Sequence, residues 1–215
     1  MSTDDFVAYP AVYRDVEAEE HVTLLSNGRS LKLTVGGTLY AGNTFDLLAQ
    51  QPVVDEEYFF LAWYTLDYAM PLTVIVDGQP QRRSLKVHVA IEWDTEPPPG
   101  WDEGEGVRLE LDLEGATLIG EGEWFEDAME RLQKQMPEGS YLRCCFTCMF
   151  SDYSPYGHNF FGDLACFRDN KAGYLAAEHS KFSLMAIWHT NTEFVQETYL
   201  CPEFERRRPG TGYRG

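Results

Sequence analysis

Basic residues are scarce in this chain of 215 residues. Lysine and arginine total 17 against 35 aspartates and glutamates, a formal net charge of −18. Such a charge disfavours non-specific binding to nucleic acid or to an anionic membrane. Long apolar runs are lacking as well. The longest, Tyr58 to Tyr64 and Met70 to Val76, fall far short of the ~20 residues with which a helix spans a bilayer. The opening MSTDDFVAYP carries no basic segment and no apolar stretch, so no secretory leader and a cytoplasmic location are expected. Cysteines stay reduced there, and an odd count of five argues against a disulfide framework.

The familiar catalytic signatures are missing too. There is no phosphate-cradling Gly-x4-Gly-Lys-Ser/Thr loop, no His-Glu-x2-His and no Gly-x-Ser-x-Gly elbow. None of His21, His88, His158, His179 and His189 is followed by x-Glu, which removes the zinc deaminase signature. Gly210 to Gly215 matches Gly-x-Gly-x2-Gly literally. No strand precedes it, so the dinucleotide reading is set aside.

What is present suits a folded chain. Hydrophobic residues make up 44% and aromatics 14%, which argues against wholesale disorder. The charge is uneven. Residues 1–140 carry 27 acidic and 9 basic side chains, whereas residues 141–215 carry eight of each and all five cysteines. Two regions are therefore expected, 1–138 and 139–215, meeting near Pro137-Glu138-Gly139, with a shared core left open.

The first region reads as strands. Val22 to Leu25 and Leu31 to Val35 flank Asn27-Gly28, a hairpin signal because both residues tolerate positive φ. Leu72 to Val76, Asp77-Gly78 and Leu85 to Ile91 predict a second hairpin with a longer loop. Leu85, Val87, Val89 and Ile91 share one face of the return strand, and Val107, Leu109, Leu111 and Leu113 repeat the alternation. Such period-2 patterns describe antiparallel sheet with one wet face. Between them, Thr95 to Gly106 with three prolines predicts a surface loop. One helix is expected at about 123–135, where Trp124, Phe125, Ala128, Met129 and Leu132 form a stripe. Short strands are expected near 140–149, 160–168, 173–178, 182–189 and 193–200. The fold class is then β-rich α+β: antiparallel sheets, sandwich-like in the first region, with one main helix and a Cys-rich, zinc-stapled C-terminal β region.

The main chemical signal is Cys145-Phe146-Thr147-Cys148. Seventeen residues separate Cys148 from Cys166, and thirty-four separate Cys166 from Cys201. A Cys-x2-Cys turn supplies two thiolates to one tetrahedral zinc, and two more from elsewhere would close the site. Cys145, Cys148, Cys166 and Cys201 are thus candidate ligands of a structural zinc ion, and Cys144 is left over. The alternative is four unconnected buried cysteines packing as small hydrophobes. A thioredoxin-like reading is weakened by the turn residues of Ser151 to Gly157, where a helix would have to begin.

The loop Ser151 to Asp163 gathers Asp152, His158 and Asp163 among aromatics. His158 as general base, oriented by Asp152 or Asp163, would suit a small-ligand enzyme. The competing reading makes the aspartates turn caps. Arg206, Arg207 and Arg208 form the only basic cluster, suited to an acidic partner, a phosphate or the chain's own acidic region.

The residues Cys145-x2-Cys148, Ser151 to Pro155, Phe161 to Leu164, Cys166, Glu197, Cys201 and the closing Gly212-Tyr213-Arg214-Gly215 resemble those of an uncharacterised bacterial family of unknown function. The resemblance implies no activity. It implies that the cysteines and the tail belong to one unit.

Three functions follow as expectations. The first is a protein-interaction module with a structural zinc site, of the toxin-neutralising immunity type, meeting a basic protein partner and neither nucleic acid nor membrane. The alternative is a small-molecule enzyme using residues 151–163. A DNA mimic ranks last, because acidic residues such as Asp15, Glu17, Glu19, Glu20, Asp55, Glu56 and Glu57 are scattered and not aligned in rows.

Overall fold

The computed structural model describes residues 5–53, 57–93, 96–177 and 180–214. The opening MSTD, Asp55, Glu56, Thr95, His179 and Gly215 lie outside the described residues.

The first region builds strands β1 (Val7–Arg14), β2 (Glu19–Ser26), β3 (Leu31–Val35), β4 (Thr38–Gly42), β5 (Ala49–Gln51), β6 (Tyr64–Val76), β7 (Gln79–Ile91), β8 (Gly106–Leu113) and β9 (Ala116–Gly122). Helix α1 (Phe125–Lys134) follows, then β10 (Tyr141–Leu142), β11 (Ser151–Asp152) and β12 (Leu164–Cys166). Helices α2 (Lys171–Leu175) and α3 (Lys181–Ile187) precede β13 (Glu193–Val195).

Strands β1 to β9 and β10 form one open antiparallel sheet in the order β5-β4-β3-β2-β1-β6-β7-β8-β9, with β10 pairing β6. The sandwich expected for the first region is replaced by this single sheet. The reason is local. β1 pairs β2 on one side and β6 on the other, so the two hairpins join edge to edge and do not stack face to face. The second hairpin is also tighter than expected. Asp77 and Gly78, at φ 50° and 75°, join β6 to β7 directly. Residues 79–84, read from sequence as loop, continue the ladder against Pro71 to Val76. Two positive φ angles in a two-residue turn match the twist of the strands they connect.

One sheet face is apolar. Leu66, Leu72, Val74, Leu85, Val89, Ile91, Leu109 and Leu111 are all fully buried. α1 covers part of it with Phe125, Ala128, Met129 and Leu132. Trp124, placed on that stripe from sequence, is instead the half-exposed residue that caps the helix in extended conformation.

Phe146, Tyr153, Phe160, Phe161, Leu164 and Val195 of the C-terminal region join the core of the sheet across Pro137-Glu138-Gly139, while Met149, Phe150, Phe167, Tyr174 and Leu184 form a second, smaller cluster. The Phe161 ring lies 5.1 Å from Phe45 and 4.5 Å from Phe125. Gly162, at φ 85°, lets this segment approach Asn43, whose carbonyl a Cβ there would strike. The segments expected as strands at 173–178 and 182–189 contain α2 and α3. Asn170 and Ser180 cap these helices by accepting the backbone N–H of Gly173 and Ser183. A second, smaller sheet runs β11-β12-β13. The fold is thus β-rich α+β, with three short α-helices among the described residues. Among the described residues no helix is long and apolar enough to cross a membrane.

Candidate functional site

The five cysteines are free and buried. Cys144 precedes a single 3-10 turn, Cys145–Thr147, which is closed by the Cys148 N–H donating to the Cys145 carbonyl at 3.1 Å. The Cys145 and Phe146 N–H groups donate to the Tyr199 and Glu197 carbonyls at 2.6 and 3.0 Å. This brings the turn against the segment leading to Cys201. Cys166 ends β12. Cys145 lies within electrostatic reach of Cys148 and Cys166, and Cys166 of Cys148 and Cys201. The four predicted ligands, from three separate segments, therefore share one neighbourhood. Cys201 accepts the Glu203 N–H at 3.4 Å, and Arg168 stands 3.6 Å from the Cys166 sulfur. Burial pushes the Cys145 and Cys166 thiols up, and it pushes Cys144 up to about 12. Among the described residues, no group of three or more His, Cys, Asp or Glu side chains is arranged to hold a metal ion.

Asp152, His158 and Asp163 do not meet. Asp152 is fully buried and saturated. It accepts from Arg214 Nε at 3.0 Å, the Tyr174 hydroxyl at 2.8 Å, and the backbone N–H groups of Tyr153, Tyr213 and Arg214 at 3.1, 3.0 and 3.3 Å. Asp163 accepts the Asn159 N–H at 2.8 Å, the work of a turn cap. His158 takes its carboxylate partner from α1. Its Nε2 lies 3.3 Å from Glu126, and its ring stacks on Tyr153 at 4.2 Å. Burial alone would lower the imidazole pKa, but Glu126 and the Asn159 carbonyl outweigh it and raise it. Burial likewise opposes the Glu126 charge, yet His158 and Arg214 hold that carboxyl below its ordinary value. The dyad of His158 with Asp152 or Asp163 is therefore not formed. Among the described residues, Asp152 and His158 are linked through the chain Asp152–Arg214–Glu126–His158 and through Tyr153, whose N–H donates to Asp152 while its ring stacks on His158.

Sequence reasoning missed the depth of this network. Arg214 lies over the Tyr153 and Phe146 rings at 4.9 and 5.2 Å and joins Glu126 at 3.5 Å. Gly212, at φ 70°, leaves room for the Tyr174 hydroxyl, which a Cβ there would strike. Glu197, noted in the sequence only within a resemblance, is fully buried. It accepts the Tyr153 hydroxyl and the Gly162 N–H, each at 2.9 Å. Burial raises its carboxyl to about 7 against these donors. Internal ion pairs of this kind seat the tail on the core, and the groups are too fully occupied to face a substrate.

A different surface is open. No lysine or arginine occurs between Lys32 and Arg82 or between Lys86 and Arg108. The loops of these two stretches meet at one end of the sheet. Tyr58 and Phe59 are 62% and 60% exposed. Tyr58 stacks on Phe60, Phe60 on Trp93, and Trp63 meets Trp101 edge-on. The Trp101 indole N–H donates to Glu92 at 3.0 Å. Glu57, Asp102, Glu103 and Glu105 are exposed around them. Partial burial, and then the nearby Glu92, Asp46 and Glu123, raise the Glu105 carboxyl pKa. These aromatics carry no strand alternation, and their grouping across two loops appears only in the fold.

No curated protein and no solved structure is found to be similar to this chain. One family does match it, over residues 7–151. That stretch holds β1 to β10, α1 and the Cys145-x2-Cys148 turn, and stops as β11 begins. Cys166, Cys201 and the Gly212-Tyr213-Arg214 tail lie beyond it. The chain belongs to the family of unknown function DUF6304.

Proposed function

We propose that this chain is a non-catalytic binding module that recognises a basic protein through the acidic, aromatic end of its large sheet. The observation that carries the reading is the exposed pair Tyr58 and Phe59, backed by stacked Phe60 and Trp93 and rimmed by carboxylates. Contiguous exposed apolar surface marks interaction sites, and tyrosine and tryptophan are enriched where binding energy concentrates. A rim free of lysine and arginine would attract a positively charged partner and speed its approach. A toxin-neutralising role against a basic protein is one instance of this chemistry.

The second part of the proposal is a structural zinc ion held by Cys145, Cys148, Cys166 and Cys201. Its support is the donor set: four free thiols from three segments, with Cys145, Cys148 and Cys201 each within electrostatic reach of Cys166; the ion itself would have to draw them into a coordinating group. Such an ion would supply cross-linking and no reaction, since four sulfurs leave no open position. Reduced thiols of this kind suit a cytoplasmic setting.

Capture from a lysate of the protein's own cell, at ~50 mM and ~500 mM salt, tests the first part. A basic protein retained at low salt and released at high salt supports it, provided a Tyr58→Ala/Phe59→Ala variant fails to retain it. Equal retention by both forms, or no retained basic protein, defeats it. Metal analysis tests the second part. One zinc per chain, absent from a Cys148→Ser variant, supports it, and a metal-free folded protein refutes it.

A further inference from the structure

The arginine cluster faces a cleft that the interaction reading does not use. Residues 206–209 run beside the C-terminal half of α1 and enclose a cleft of about 400 Å³. Its walls include Lys134, Tyr141, Phe146, Arg206, Arg208 and Pro209, and Arg207 and Arg214 also line it. A second hollow, of about 620 Å³, opens on the other side of the same arginines.

Two of the charges here, Arg206 and Arg208, are not used up internally. Arg214 is occupied by Asp152 and Glu126, and Lys134 by Glu130 at 2.8 Å. Glu205, the nearest carboxylate in sequence, is taken by Lys171 at 3.1 Å. Arg207 lies 3.9 Å from the Asp152 carboxylate, reaches Tyr174 and Thr211 with the same terminal nitrogen, and reaches the Ser151 carbonyl with the other. Its Nε is buried without a hydrogen-bond partner. Arg206 lies over the Tyr141 ring at 4.1 Å. Neither Arg206 nor Arg208 forms an ion pair with a carboxylate among the described residues. Two arginines left without a carboxylate, in a chain of 35 acidic residues, cluster against the general field of the molecule.

We infer that this cleft binds a small molecule carrying a phosphoryl group, seated on Arg206 and Arg208, with its body against Tyr141, Phe146 and Pro209. Guanidinium groups bind phosphate through paired N–H donors, and two of them together offer more donors than a single carboxylate can accept. The cleft falls within the ~300–1,000 Å³ usual for small-ligand sites. The long-range field of the chain is negative, so an extended polyanion is repelled where a compact anion is held.

Calorimetric titration of the full chain tests this, with inorganic phosphate and adenosine monophosphate as the probes. The nucleotide is used only because its body fills a cleft of this size. The expected result is saturable binding of the nucleotide with Kd on the order of 0.1 mM. Phosphate should bind at least ~10-fold more weakly, since it lacks the contacts of a body in the cleft. A ~10-fold or greater loss is expected in Arg206→Gln/Arg208→Gln, with an unchanged melting temperature and no change in Lys181→Gln. Lack of saturation below ~10 mM, equal affinity for the two probes, or full affinity in the double variant overturns the inference.

Discussion

The sheet and the C-terminal region satisfy their polar groups in different ways. In the sheet the backbone supplies its own partners. β6 and β7 pair along thirteen residues each, and β8 and β9 continue the ladder. Side chains are left to alternate between core and water, and charged ones such as Lys86 and Glu110 meet on the wet face. After Ser140 the strands shrink to two or three residues. Side chains buried between loops then do what the ladder does elsewhere, as Asp152 does for three backbone N–H groups and Arg214. The difference teaches that one polar substitution should matter little on the wet face of the sheet and a great deal in the C-terminal region.

The largest expected effect is Asp152→Ala. It removes one of the two carboxylates that pair with buried Arg214 and leaves several N–H groups unpaired in the interior, so urea denaturation should show a loss of about 3–5 kcal/mol. A loss below ~1 kcal/mol, the level of a surface pair, would erase the contrast. Glu197 gives the next effect, through pH. Unfolded, this carboxyl releases its proton near 4.5, whereas folded it holds the proton to about 7. The stability tied to that proton is complete below the unfolded value and is lost as pH rises through 7. Between these pH values the loss should be on the order of 3 kcal/mol. Glu197→Gln should flatten that part of a stability-against-pH profile, and an unchanged profile would show that another group is responsible. Gly212→Ala comes third. Its φ of 70° and the Tyr174 hydroxyl leave no room for a methyl group, so thermal melts should report a loss of about 1–3 kcal/mol. The smallest effect belongs to the sheet: Lys86→Ala breaks only exposed pairs with Glu110 and Asp112 and should stay within ~0.5 kcal/mol in the same assay.

The same contrast explains what could be read in advance. The alternation of Leu85, Val87, Val89 and Ile91 and the stripe of Phe125, Ala128, Met129 and Leu132 are local signals, and each buries as its period implies. The pairing of β1 with β6, which makes one sheet and not a sandwich, depends on segments fifty residues apart. α2 and α3 do not follow from the local apolar pattern, because they are short and their capping residues Asn170 and Ser180 outweigh it. In the candidate loop, composition gathered Asp152, His158 and Asp163, but their partners came from elsewhere: Arg214, Glu126 and Asn159. The aromatic surface was invisible for the same reason, since Phe60 and Trp93 meet only across two loops.

That surface is where the functional reading is most directly tested. With a captured basic partner in hand, its dissociation constant should be measured for the native chain and for Tyr58→Ala/Phe59→Ala at equal folded content. The account predicts a loss of at least ~100-fold, the scale of two central aromatic contacts, with the melting temperature preserved. An affinity within ~3-fold of the native value would place the contact elsewhere on the molecule and contradict it.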